Sequence, residues 1–199
     1  MTQSIPDIID HLAGIVPGSN GERLRARRPV TKEGAQASYR ALFEPTDVSQ
    51  VSLAERFAVA VFVARLHAQP DIAAFYAGKL VDAENGAALL AATEAAVAIG
   101  AGKGPYGRYP AGPLAAEDED GPGFTVAEAE RRVLGARLSA AFEHAHLLVF
   151  HLRDAKPQAL GRLIEAGWST TGIVTLSQLI AFLAFQIRVI AGLKVLTAA

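Results

Sequence analysis

Apolar residues recur every three or four positions over most of this chain, and the polar, Pro and Gly positions that interrupt them fall where helices begin and end. Ser4 and Pro6 open a short helix, PDIIDHLAGI, that the Pro17-Gly18 turn closes. A basic connector, RLRARRP, leads to TKEGAQASYRALF, a helix that begins at Thr31 and stops before Pro45. Ser52 stands three residues before Glu55, the spacing at which each side chain satisfies a backbone N–H at the other's position, so SLAERFAVAVFVARLHAQ predicts a long apolar helix. DIAAFYAGKLVDA, from Asp71, predicts the next, and the alanine-rich run 84–99 another.

Residues 100–123, GAGKGPYGRYPAGPLAAEDEDGPG, break the rhythm. Glycine loosens the backbone and proline removes donors, so this segment predicts a long surface loop that divides the chain. Thr125 with Glu128 repeats the capping-box spacing and predicts a helix running to about His151. Pro157 begins PQALGRLIEA, capped by Gly167, and Ser169, Thr170 or Thr171 starts the final long helix. The expectation is an all-α protein of about eight helices, one domain over 1–199. It comprises an N-terminal arm (1–50), a first helical half (51–99), the Gly/Pro-rich loop (100–124) and a second helical half (125–199).

The last helix is apolar enough to resemble a membrane span, since Ile173–Leu196 exceeds the roughly 20 residues a bilayer requires. Arg188 lies well inside it and Gln178 and Gln186 interrupt it, which favours a core or subunit-interface helix and no membrane partner. Its apolar surface exceeds what one small domain covers, so a homo-oligomer is expected. Apolar residues make up 51% of the chain, enough for an extensive core, and the formal net charge of -1 gives no field for nucleic acid. The four arginines Arg23, Arg25, Arg27 and Arg28 read as a solubilising patch or as a contact for an acidic surface. The start, MTQSIPDIIDHLAG, lacks the basic and apolar regions of a signal peptide, so a cytoplasmic protein is expected. There is no cysteine, which excludes disulfides, thiolate catalysis and sulfur-ligated metals.

Candidate chemistry concentrates in FEHAHLLVFHL, Phe142 to Leu152, which holds three of the five histidines. On a helix Glu143 and His146 share one face, and His144 and His151 another. A histidine beside a carboxylate shuttles protons at neutral pH, so Glu143, His146 and His151 are the candidate catalytic groups. Glu-x-x-His is also half of a di-metal motif, but the chain has no second copy; no metal or cofactor is expected, although His67 could add a nitrogen. The alternative is structural: these side chains line a subunit interface, with His151 capping the carbonyls at its helix end. Arg188, within an apolar helix, requires an anion, and Glu143, Asp154, Glu165 or a substrate carboxylate are candidates. His144, Asp154 and Arg188 are therefore the candidate substrate-binding residues. Gly102, Gly104 and Gly107 spell GxGxxG with no strand before and Pro105 inside, so no dinucleotide site follows. The acidic run Glu117–Asp120 reads as a solvated loop tip, and Tyr106 and Tyr109 as a lid or as pins for the loop.

Two segments, SLAERFAVAVFVARLHAQPDIAAFY and AGWSTTGIVTLSQLIAFLAFQIRVIAGLKVL, carry a likeness to a known family. The chain resembles the carboxymuconolactone decarboxylase and alkylhydroperoxidase D-like superfamily, most nearly its two-part, peroxidase-related branch. In that branch the last helix shows a Gln, an aromatic pair, Arg-Val and Gly-Leu, the order in which Gln178, Phe182, Phe185, Arg188, Val189, Gly192 and Leu193 stand. ARRPVTKEGAQASYRALF with AFEHAHLLVFHLRDA is similar to a subgroup described only as CMD-domain proteins, which looks paired with a separate, more orthodox family member.

The resemblance implies an alkylhydroperoxidase D-like bundle. Active members carry Cys-x-x-Cys, a His four residues on and a Glu about a dozen residues before, which together activate a thiolate. Aligned on Gly167, the cysteine positions fall on Leu152 and Ala155 and the His on Ala159; shifted by one, on His151, Asp154 and Gln158. Neither register supplies a thiol. Three expectations follow: a cysteine-free member that is degenerate or serves as partner subunit to a cysteine-bearing relative, a His/Glu acid-base lyase or isomerase acting on a small acidic substrate, or a metal-binding helical protein.

Overall fold

The computed structural model describes residues 5–198, and Ser4 lies outside them. Among the described residues there are nine α-helices and no strand, so the protein is all-α. The helices are α1 (Ile8–Ala13), α2 (Asn20–Ala26), α3 (Pro29–Phe43), α4 (Leu53–Leu66), α5 (Pro70–Val81), α6 (Gly86–Gly100), α7 (Glu128–Phe150), α8 (Pro157–Glu165) and α9 (Thr170–Ala198).

The bundle is organised around α4, whose Ser52–Glu55 capping box forms with both reciprocal bonds. From Arg56 to Leu66 nearly every side chain of α4 is buried, because α5, α6, α7 and α9 surround it. Buried Arg56 donates to the carbonyls of Val51 and Leu42, which ties the arm to the start of α4. One continuous core therefore runs from Ile8 and Ile9 in the arm through Phe62 and Tyr76 to Phe142 and Leu183. The two sequence halves do not pack as separate bodies but share α4 as a common wall.

The basic connector of the arm is partly helical. Ser19 accepts from the Glu22 N–H and opens α2, so Arg23 and Arg25 are helical. Arg25 is buried, with its guanidinium on Asp7 at 3.0 Å and Asp10 at 2.8 Å, and Lys32 joins Asp10. It is thus the centre of an ionic clamp inside the arm and not part of a solvated patch. Asp7 also caps α1, and α3 begins at Pro29, two residues before Thr31.

The second half departs from expectation at α7. Thr125 does not cap it; the N-cap is Ala127, and the Val126 N–H instead reaches Glu143 Oε1 at 3.1 Å. The helix breaks at Gly135, whose φ of 72° and ψ of 170° suit only glycine, so α7 is two helical pieces and the first folds back toward Glu143. Nothing lies within 4 Å of a Cβ built at Gly135, so a side chain there meets only backbone strain. Gly135→Ala is expected to lose about 1–3 kcal/mol in denaturant titration; unchanged stability would mean that the break is not required.

Helix α9 starts at the Ser169 cap, which accepts from the Gly172 N–H. Leu176, Leu179, Leu183 and Ile190 are fully buried against the bundle, while Val174, Phe185 and Val195 on the other side stay 52%, 40% and 72% exposed. The helix is long and apolar enough to cross a membrane, and one face of it is a core face.

Candidate functional site

The end of α7 and the Gly/Pro-rich loop enclose a cleft of about 280 Å³ lined by Phe124, Thr125, Glu143, His146, His151, Asp154 and Arg162. Four of the residues singled out in the sequence therefore meet there. His146 is 4% exposed and sits between Phe124, stacked at 5.0 Å, and Phe150, edge-on at 5.0 Å. Its Nε2 lies 3.1 Å from the Gly100 carbonyl, and a carbonyl only accepts, so Nε2 carries the proton and Nδ1 keeps its lone pair. Burial, reinforced by the neighbouring His151 ring and opposed by the Gly100 bond, pushes its pKa down to about 4. His146 is thus a neutral imidazole at physiological pH.

The other groups of the cleft are engaged by structure. Glu143 Oε1 accepts from Val126 N–H and from the Arg131 guanidinium at 2.7 Å, which holds the folded-back piece of α7 in place. His151 follows α7, and its Nε2 donates to the Pro122 carbonyl at 2.9 Å while Nδ1 faces Asp154 Oδ2 at 3.3 Å. The expected side-chain cap is absent, because only the backbone N–H of His151 reaches back, to Leu147. Asp154 Oδ1 accepts from the Arg108 N–H, and Gly107 presses so close that a Cβ would come 2.8 Å from Asp154 Oδ2.

Around these groups the loop is pinned throughout. Tyr106 N–H donates to Phe150 O, the Tyr106 hydroxyl accepts from Lys103 N–H, and Arg153 lies over the Tyr109 ring at 4.0 Å while donating to the Gly107 and Glu117 carbonyls. The tyrosines act as pins. The acidic run takes part as well: Asp118 accepts from Tyr109 N–H, Glu119 pairs by backbone with Gly107, and Asp120 meets Arg108. Glu117, Glu119 and Asp120 stay exposed, as expected of a loop tip, while the run also ties the loop to itself.

Two candidate substrate-binding residues lie elsewhere. His144 is 6% exposed, and neither ring nitrogen has a partner among the described residues; burial, aided by Arg162, lowers its pKa. It does not line the cleft. The shared face expected of His144 and His151 fails because α7 ends at Phe150 and the chain leaves the helical path at His151. Arg188 is exposed, donates to the carbonyl of Ala184 one turn back, and pairs with none of Glu143, Asp154 or Glu165. Its cleft is a different one, shared with His67 and Lys103.

Sequence reasoning missed Arg162, Phe124 and the carbonyls of Gly100 and Pro122, none of which carries a local signal. Among the described residues no three His, Asp or Glu side chains are placed to hold a metal ion. Glu143 turns to Arg131 and His146 to Gly100, so the Glu-x-x-His pair does not converge. Comparisons with protein-family models, curated proteins and solved structures return no match.

Proposed function

We propose that this protein is a cysteine-free, cytoplasmic member of the carboxymuconolactone decarboxylase and alkylhydroperoxidase D-like type, a degenerate member or partner subunit of a peroxidase-like system and not itself a thiol peroxidase. The observation that carries this reading is that Glu143, His151 and Asp154 are each already committed to holding α7 and the loop. A catalytic pair requires a base oriented by a second group toward an open reacting position; Glu143 turns to Arg131, and His151, although paired with Asp154 at 3.3 Å, has its other ring nitrogen on the Pro122 carbonyl. The outward side of α9, with Val174, Phe185 and Val195, supplies the apolar surface for self-association or for a cysteine-bearing relative.

The expected outcome with purified protein, hydroperoxide and a thiol reductant is no consumption above the buffer rate. Mixing with a cysteine-bearing alkylhydroperoxidase D-like protein is expected to give a hetero-oligomer by native mass measurement. Catalytic hydroperoxide loss without that companion would overturn the reading. An acid-base lyase or isomerase is the second reading, favoured by the neutral His146 with its Nδ1 lone pair beside the cleft. That reading requires an activity that His146→Gln abolishes in a protein that still folds.

A further inference from the structure

On the other side of the Gly/Pro-rich loop, a second cleft of about 350 Å³ lies between the ends of α4 and α7, the loop and α9. Leu66, Val149 and Phe150 form apolar parts of its wall, and His67, Lys103 and Arg188 supply its charged and titratable groups. No carboxylate lines it among the described residues, although two permanent cations do. We infer that this cleft binds a small organic carboxylate, its apolar body against Leu66, Val149 and Phe150 and its carboxylate between the Lys103 ammonium and the Arg188 guanidinium.

Three features support that assignment. First, like charges gathered in a shared depression repel one another unless an anion or water screens them, and an anion there gains from both cations at once. Neither Lys103 nor Arg188 forms an ion pair among the described residues, and the Arg188 guanidinium uses one N–H on the Ala184 carbonyl, leaving others for a ligand. Second, the Arg guanidinium is a planar fork that matches a carboxylate in a bidentate way, which a lone lysine does not. Third, the imidazole of His67 is fixed by its Nδ1–H on the Val63 carbonyl at 2.9 Å, so Nε2 is the remaining polar atom of a half-buried ring in the same cleft. Burial, and secondarily the nearby Arg188 charge, lower the His67 pKa, which fits a site short of negative charge.

The volume is within the range of small-molecule sites, at the low end, which suits a compact ligand such as an aromatic or short-chain acid. Part of the wall is hydrocarbon, and that favours a carboxylate with an apolar body over inorganic phosphate, whose four oxygens all require donors. Ala68, also in the wall, adopts a φ of 53° and turns the chain away directly after His67, the C-cap of α4. The site is separate from the His146 cleft, so it stands or falls independently of the subunit role proposed above.

The test is calorimetric titration of the full chain with benzoate, and with inorganic phosphate as the competing anion. Saturable binding of benzoate to one site per chain is expected. Arg188→Gln and Lys103→Gln are each expected to weaken it about tenfold, the value of one charge-assisted hydrogen bond. Both side chains are exposed, and unchanged far-UV dichroism verifies folding. In NMR spectra benzoate is expected to shift the ring signals of His67 more than those of His146, whose ring meets the cleft only through Phe150. Absence of saturation in the millimolar range, wild-type affinity in either variant, tighter binding of phosphate than benzoate, or shifts confined to His146 would each overturn the assignment.

Discussion

Acidification from pH 7 to pH 4 is expected to remove about 3 kcal/mol of folding stability through His146 alone. The unfolded chain protonates this ring near the ordinary histidine value of about 6.5, whereas the folded chain does so only near about 4. Above the first value both states are neutral and no penalty exists. Between the two, the unfolded state takes up a proton that the folded state refuses, so stability falls as pH falls and levels off below about 4. Burial lowers the His144 and His67 values as well, which adds loss of the same sign. Denaturant titrations at intervals from pH 7 to 4 should show a steep decline in the wild type and a shallower one in His146→Gln, which lacks the titrating ring. Parallel slopes for the two proteins would remove His146 as the cause.

Phe62→Ala is expected to cost about 3–5 kcal/mol and to disturb the His146 cleft from a distance. Phe62 is fully buried and stacks on Phe142 at 4.4 Å with the rings 3° from parallel. Its other side meets Phe124 at 5.5 Å, and Phe124 in turn stacks on His146. Four rings thus run from the bundle centre to the imidazole, and a gap at Phe62 takes from both Phe142 and Phe124 the ring that lies between them. As Phe124 loosens, water reaches His146 and its pKa is expected to climb from about 4 toward the ordinary value, which histidine NMR titration detects. A loss below about 1 kcal/mol, or a His146 titration unchanged from wild type, would contradict this linkage.

The helices were legible where local chemistry agrees with packing. At α4 the Ser52–Glu55 box and the apolar run both point to the structure that forms. Helix α2 was hidden because Arg25 counts as polar in any periodicity, yet Asp7 and Asp10 neutralise it inside the arm. The Thr125–Glu128 spacing misled because Glu143, a long way down the chain, claims the Val126 N–H that starts the segment. Gly135 sits in a run whose helical rhythm continues on both sides, and nothing in that rhythm marks a left-handed φ.

The candidate site divides in the same way. Glu143 and His146 share a helix face by spacing, but His151 and Asp154 join them because the chain leaves the helical path after Phe150. The roles of the histidines do not follow from spacing, since the partners that occupy them are the Gly100 and Pro122 carbonyls of a loop whose path no periodicity describes. Arg188 meets none of the carboxylates expected for it, because its surroundings depend on the rotation of α9 about its own axis. That rotation buries Leu183, Gln186 and Ile190 and turns Arg188 toward Lys103 and His67.

Helix α1 packs along α9, and a Cβ built at Gly21 would come 3.0 Å from the side chain of Thr197. The start of α2 therefore sits against the end of α9. Fraying of the last turn of α9 would therefore be felt in the arm, since Thr197 packs where Gly21 leaves room for it.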